Sequence, residues 1–394
     1  MSESPIVRVW WQGFSVPMRA AFAAAHGQLV ERDGLVLGFE CADGSEAAGE
    51  ASPLTSYAGG TVTEVAALLA QWAPAMLGRT PSEVWASPWD APSTSRGAVN
   101  AARCGIETAA ASLAAFAQGQ PLGEWLRTAS GVSVTSAEGI PVNAVIDAGD
   151  PLQAATQASA ARDAGFMALK VKVGRDAKAD LARLRAVSGG LWQCTLGAHI
   201  PLRRPELRVD ANGSWTPSET LARLRAYEAC DVSLCEQPIS HELPGALDEM
   251  ARLRKQTGVA IAADESCRSL ADLDAILDLR AADAVVIKPT VSGLREAALM
   301  VARANQARLP AIVTSTFEAG IGLAAAIHLA SLVADPVRPC GLTTGELLTD
   351  TLVQGLPRAY DGVIDRPGAP GLGVEVDHAA LAKYATALAG EVRR

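Results

Sequence analysis

The sequence predicts an α/β chain: a (β/α)8-type barrel with an α+β amino-terminal capping domain that the carboxyl-terminal segment completes. Three observations point there. From about residue 140, short β-branched apolar runs alternate with helical stretches of about 10 to 15 residues, the mark of βαβ units and a parallel sheet. Eight such runs occur, which suits a closed barrel better than an open sheet. The residues before about 127 have a different texture, first strand-like and then helical.

Taken in order, Ile6–Trp11, Leu29–Arg32 and Leu35–Glu40 read as strands, with Asp33-Gly34 as a hairpin turn. Thr61-Val-Thr-Glu64 forms a capping-box pattern before an apolar run. Asn100–Gln118 is an alanine-rich helical stretch. The barrel strands are expected at Pro141–Ile146, Ala168–Val173, Leu207–Asp210, Val232–Glu236, Val259–Asp264, Ala284–Lys288, Ala311–Ser315 and Val337–Leu342. The turn-rich Arg366–Gly373 belongs to a segment expected to leave the barrel and pack back on the cap. The expected division is a cap over residues 1–127, a barrel over 128–350 and a return segment over 351–394.

The 394 residues carry 34 basic and 43 acidic side chains, a net charge of −9. An acidic chain with only 5% aromatic residues is a poor partner for nucleic acid, and its charge gives no reason to dock on an anionic membrane. The seven cysteines form no C-x-x-C pair, and most sit in apolar runs as small buried hydrophobes. MSESPIVRVW lacks the basic and apolar regions of a signal peptide. Ile321–Ala334 is too short to span a bilayer and carries His328. These features predict a reduced, cytoplasmic, soluble protein.

The polar residues at the expected strand ends are Lys170-Val-Lys172, Asp210-Ala-Asn212, Glu236-Gln-Pro, Asp264-Glu265-Ser, Lys288-Pro and Thr314-Ser315-Thr316. From Asp210 onward the steps are 26, 28, 24 and 27 residues, to Glu236, Asp264, Lys288 and Ser315. One β/α unit of a barrel has about this length, so all these groups fall at the same, catalytic end. A longer step of 38 residues from Lys172 to Asp210 points to an insertion near 189–206, on the opposite face. Asp210, Glu236 and Asp264 would converge from three neighbouring strands. Buried together they repel, and a hard divalent cation removes that cost; an all-oxygen set favours Mg2+, with Mn2+ as a substitute. Lys170 and Lys172 share one face of their strand, and Lys288 comes from across the barrel. A Schiff-base barrel also ends strands in lysine, but it has no need of three acids in phase.

This constellation resembles the enolase superfamily, and within it the muconate-lactonizing subgroup, over the whole chain including the cap. The resemblance implies removal of a proton α to a carboxylate. It makes Asp210, Glu236 and Asp264 the Mg2+ ligands, Lys172 the base, Lys170 a carboxylate-orienting charge and Lys288 the group on the opposite face. Asn212 and Glu265 are implied to hold ligands or lysines in place. Thr314-Ser-Thr-Phe-Glu-Ala-Gly-Ile-Gly-Leu323 and Cys340-Gly-Leu-Thr-Thr-Gly345 are similar to subgroup members that dehydrate a cyclohexadiene carboxylate to an aromatic product. They make Ser315, Thr316, Phe317, Gly341 and Leu342 candidate substrate contacts. The subgroup's dipeptide epimerases place Asp-x-Asp at the eighth strand, where this chain has Cys340-Gly-Leu342. Racemisation of N-succinylamino acids and cycloisomerisation of muconate stay open. Two cap segments are candidates to cover the barrel mouth: Gly13–Gly27, with Met18, Arg19 and Phe22, and Ala51–Gly60. Arg19 suits a remote carboxylate of the substrate. The five histidines show no ligand spacing, and His328 is expected to be a packing residue.

Overall fold

A computed structural model describes residues 3–24, 27–133, 139–193, 204–334 and 337–394. The cap is a four-stranded antiparallel sheet of β1 (Ile6–Ala24), β2 (Gly27–Cys41), β3 (Glu46–Ala51) and β15 (Ala385–Arg393), in the order β15-β1-β2-β3. Helices follow: α1 (Thr55–Ala58), α2 (Val62–Trp72), α3 (Pro81–Trp85), α4 (Arg96–Ala117) and α5 (Leu122–Ala129). Thr61 and Glu64 form both bonds of the capping box at the start of α2. The alanine-rich α4 is buried along nearly its whole length, packed between β3 and the barrel helices. Small side chains allow that close approach on several sides at once.

Asp33-Gly34 is not a turn. It lies inside β2, paired with Ser15 and Phe14 of a longer hairpin. A Cβ at Gly34 would sit 2.1 Å from Ser52 Oγ and 2.5 Å from Phe14 Cζ. The glycine is there because Phe14 and Ser52 press on the backbone, not because the chain reverses.

β4 (Gly139–Pro141) pairs with β13 (Val363–Asp365) outside the barrel. The barrel proper runs β5 (Ala144–Ile146), α6 (Pro151–Asp163), β6 (Ala168–Lys172), α7 (Ala177–Gln193), β7 (Glu206–Asp210), α8 (Pro217–Glu228), β8 (Val232–Glu236), α9 (Ala246–Arg254), β9 (Ala260–Ala263), α10 (Leu270–Leu279), β10 (Ala284–Ile287), α11 (Pro289–Ser292), α12 (Leu294–Ala307), β11 (Ala311–Val313) and α13 (Gly320–Ala330). The strands form one parallel sheet in sequence order. Much of the expected insertion, residues 194–203, lies outside the described residues.

The eighth strand is a correction. Val337–Leu342 is not a strand; only Cys340 and Gly341 bridge, to Val142 and Thr314. Pro339 has no N–H to donate, which stops the ladder on that side. Four backbone bonds close the ring there: Cys340 N to Pro141 O (2.8 Å), Asn143 N to Cys340 O (2.9 Å), Gly341 N to Val313 O (3.0 Å) and Ser315 N to Gly341 O (3.1 Å).

β12 (Val353–Gln354) and β14 (Glu375–Val376) pair with each other, followed by α14 (His378–Lys383) and then β15 on β1. Gly371 exchanges backbone bonds with Gln120 and Leu122. His328, 1% exposed, fastens this return segment to the barrel. Its Nδ1 accepts from Gly123 N–H at 3.0 Å and its Nε2 donates to Leu372 O at 2.9 Å. Six described cysteines are free and buried. Among the described residues no helix is long and apolar enough to cross a membrane.

Candidate active site

Parallel register aligns Lys172, Asp210 and Glu236 in one row across β6, β7 and β8, with Ala262 next on β9. Asp264, two residues further, points the same way, because strand side chains alternate. Along β6, Leu169 and Val171 are fully buried on the other face. Lys288 follows β10, four staves round from β6, so it faces Lys170 and Lys172 across the barrel mouth.

These groups meet. Lys170 Nζ lies 2.6 Å from Glu236 Oε1 and 3.0 Å from Asp210 Oδ2. Lys172 Nζ lies 3.0 Å from the same Asp210 oxygen and donates to Asn212 Oδ1 at 2.8 Å. Asn212 in turn donates to Glu265 Oε1 at 3.1 Å, linking lysine to acid. Lys288 Nζ holds Asp264 Oδ2 at 2.6 Å. Burial alone would lower the Lys170 ammonium, but Asp210, Glu236 and Asp264 outweigh it and hold its pKa above the ordinary lysine value. Burial acts against the Asp210 carboxylate too, and Lys170 and Lys172 overcome it to pull its pKa down. Glu236 goes the other way: burial, with Asp210 and Asp264 adding repulsion, pushes it up to about 7 despite Lys170 and Lys288. Burial and the charge of Asp264 likewise raise Glu265.

Four carboxyl groups thus face three ammonium groups in a buried space, and burial, with neighbouring carboxylates adding to it, raises two of the acids. Among the described residues, no three Asp, Glu, His or Cys side chains already stand at ligand spacing. Lysines lie between the acids instead, with Lys170 bridging two of them in the manner of a shared cation. An oxygen-only donor set short of positive charge fits a hard divalent ion.

Sequence reasoning missed several residues here. Tyr57 of α1 donates to Asp264 Oδ1 at 2.6 Å, and its ring lies 3.8 Å from Lys288 Nζ. It lies in the Ala51–Gly60 segment singled out as a cover, but a contact across 207 positions leaves no local signal. Gln237, fully buried, accepts from the backbone N–H groups of Asp264 (3.0 Å) and Ser266 (3.1 Å) and so fixes the turn that aims Asp264. The Glu-Gln-Pro run signalled it; its task was not legible. Asn143 and Thr314 line the same cavity, and Asn143 Nδ2 and Thr314 Oγ1 are buried and without a partner among the described residues. Removing the Tyr57 hydroxyl leaves a buried carboxylate oxygen short of a donor. Tyr57→Phe should therefore destabilise the metal-free chain by about 1–3 kcal/mol, read by urea unfolding in chelator; equal stability would show the bond to be inert.

The inner cavity, about 90 Å³, lies among Tyr57, the three lysines, Ser315, Thr316, Phe317 and Gly341. Outside it, past Tyr57, Lys172 and Asn212, opens a larger cleft of about 860 Å³. The two share Ser56, Tyr57, Lys172 and Asn212 in their linings. Arg19 and Leu342 are elsewhere: they border a separate cleft, where Arg19 Nε donates to Glu346 O at 3.1 Å. The Phe22 backbone pairs in β1, and its side chain lies outside the described residues.

Residues 153–380 match the family described as enolase C-terminal domain-like. That is more than half of the chain, and the chain belongs to this family, the barrel of the enolase superfamily. An o-succinylbenzoate synthase from Thermobifida fusca (strain YX) is 34% identical over 212 residues, 53% of this chain and 61% of that enzyme. A D-Ala-D/L-Ala epimerase from Cytophaga hutchinsonii is 29% identical over 226 residues, 57% of this chain and 58% of that enzyme. The chain therefore spans less than two thirds of the length of either relative. The crystal structure of a dipeptide epimerase from Cytophaga hutchinsonii, complexed with Mg and the dipeptide D-Ala-L-Val, covers 98% of this chain and 99% of its own. Its TM-score of 0.82 at 21% identity shows the same fold.

Proposed function

We propose that this enolase-superfamily enzyme is a Mg2+-dependent lyase, an o-succinylbenzoate synthase of menaquinone biosynthesis. It would convert 2-succinyl-6-hydroxy-2,4-cyclohexadiene-1-carboxylate to o-succinylbenzoate and water. Asp210, Glu236 and Asp264 would hold the ion, which supplies positive charge to the substrate carboxylate when bound. Lys172, as the free amine, takes the proton α to that carboxylate. The ammonium so formed gives a proton to the departing hydroxyl on the same face, so one residue is base and then acid. Lys170 and Lys288 stay charged and stabilise the negative charge that proton loss leaves on the substrate. Asn212 orients the Lys172 amine, and Glu265 orients Asn212.

The observation that carries this reading is the far wall of the cavity. Around Thr314–Phe317 and Gly341 it is lined by Asn143, Thr314, Ser315, Thr316, Phe317 and Thr344, with no carboxylate among these residues to grip an ammonium. A wall without a carboxylate offers an ammonium no counter-charge, which favours an acid over a cationic dipeptide. The 34% identity to a synthase supports the same choice.

A second reading has its own observation: Lys172 and Lys288 face each other from opposite staves, as two-base racemisation of an N-succinylamino acid requires. Purified protein with Mg2+ is expected to consume the cyclohexadiene substrate with formation of the aromatic product. No turnover of it, together with racemisation of N-succinylamino acids, would replace the first reading by the second.

A further inference from the structure

The loop between β11 and α13 is held from behind by the cap. Phe317 borders the inner cavity with φ of +64°, a left-handed conformation costly for a bulky side chain. Asn212 and Gln237, at the ends of β7 and β8, also have positive φ, so strain gathers at this mouth of the barrel. At Phe317 the restraining groups can be named.

The Phe317 carbonyl accepts from Arg32 Nε at 3.2 Å. Arg32 is 2% exposed. Its other nitrogens donate to Asp33 O (2.9 Å), Pro53 O (2.8 Å) and Ser52 O. Among the described residues each of these hydrogen bonds goes to a backbone carbonyl, so the guanidinium acts as a rigid spacer. On one side it pins Phe317; on the other it pins the chain that runs on to Leu54 and Tyr57, which border the cavity from the cap. Glu50 completes the clamp. Its Oε1 accepts from Ala319 N and its Oε2 from Gly322 N, both at 2.8 Å, so a cap carboxylate caps the first turn of a barrel helix. A Cβ at Gly322 would lie 2.6 Å from Glu318 Cβ and 3.3 Å from Glu50 Cδ, which is why a glycine stands there. Glu318, fully buried, accepts from Thr316 N and Oγ1 and from Thr290 Oγ1, each at 2.5 Å. Residues 316, 317 and 319 are thus tied in succession.

We propose that Arg32 and Glu50 are positioning residues that fix the Phe317 ring against the inner cavity and set its distance from the Leu54–Tyr57 wall, and so decide which carboxylates reach the lysines. A buried arginine and a strained phenylalanine are both costly to keep. What they secure in common is the width of this cavity. The inference rests on the reading of that cavity as the substrate site.

Two measurements test it. Hydrogen exchange needs no substrate, so it stands whether or not the dehydration assay succeeds. In Arg32→Lys the amides of 314–319 are expected to exchange at least about tenfold faster, with β7 and β8 unchanged. For whichever carboxylate the enzyme turns over, KM should rise about fivefold while kcat stays within about twofold, because orientation is loosened and the base is intact. Glu50→Gln keeps one acceptor and should show the same changes in smaller degree, which covers a failure of Arg32→Lys to fold. In a Phe317→Gly background, where glycine tolerates the positive φ and the ring is gone, either substitution should move KM by less than about twofold. Unchanged exchange at 314–319, or the same KM shift with and without the ring, would overturn the proposal.

Discussion

Lys172→Ala is expected to lower turnover by at least about 10³-fold while Mg2+ affinity stays within about threefold of the parent. On the proposed reading, the Lys172 amine takes the α-proton from the β6 side. All three lysines pair with carboxylates, Lys170 with Asp210 and Glu236, Lys172 with Asp210 and Lys288 with Asp264, but Lys172 is the most exposed of them. Asp210 would lose one of its two ammonium partners but keeps Lys170 and accepts from Asn212 N–H at 3.0 Å, so the proposed ion site keeps all three of its acids. A small primary amine added to the variant should restore part of the rate in proportion to its free-base concentration. Turnover close to that of the parent would remove Lys172 from its assigned role; loss of Mg2+ binding would show it to be part of the ion's site.

The second large effect concerns stability and comes from His328. Burial, reinforced by the positive charge of Arg366 and only partly offset by the bond to Leu372, pushes its pKa down to about 4. Both ring nitrogens are engaged as a neutral imidazole, with Nδ1 accepting and Nε2 donating. Above pH 6.5 the folded and unfolded chains both keep it neutral, and no stability depends on its titration. Between pH 6.5 and about 4 the unfolded chain takes up a proton that the folded chain refuses, so stability falls as pH falls. The loss approaches about 3 kcal/mol at pH 4. His328→Asn should be less stable at pH 7 and should lose less on acidification, so the two unfolding curves converge. Carboxylates titrate alike in both chains and cancel. Parallel curves would show that this imidazole is not the group resisting the proton.

The strand-end acids and lysines were legible because a barrel repeats. A run ending in a charged residue every 24 to 28 positions carries its geometry in its period. His328 was legible as a packing residue from its apolar helix. Features that depend on distance in the chain left no such trace. Tyr57 meets Asp264 and Arg32 meets Phe317 across 207 and 285 positions, and neither has a motif to announce it. Two local signals misled. Asp33-Gly34 has turn chemistry, but pressure from Phe14 and Ser52 explains the glycine better. Val337–Leu342 has strand composition, yet Pro339 withholds the hydrogen bond a strand needs there.

That short eighth stave makes the barrel a ring of unequal links. Seven staves are sewn to each other by parallel ladders; the seam from β11 to the start of β5 has four backbone bonds and two residues between them. A closed ring under thermal load parts where it is most thinly stitched. Here that place is the cavity wall itself, at Thr314, Gly341 and Asn143. On the proposed reading, the substrate's bulk would rest against this same join, opposite the row of Lys172, Asp210 and Glu236.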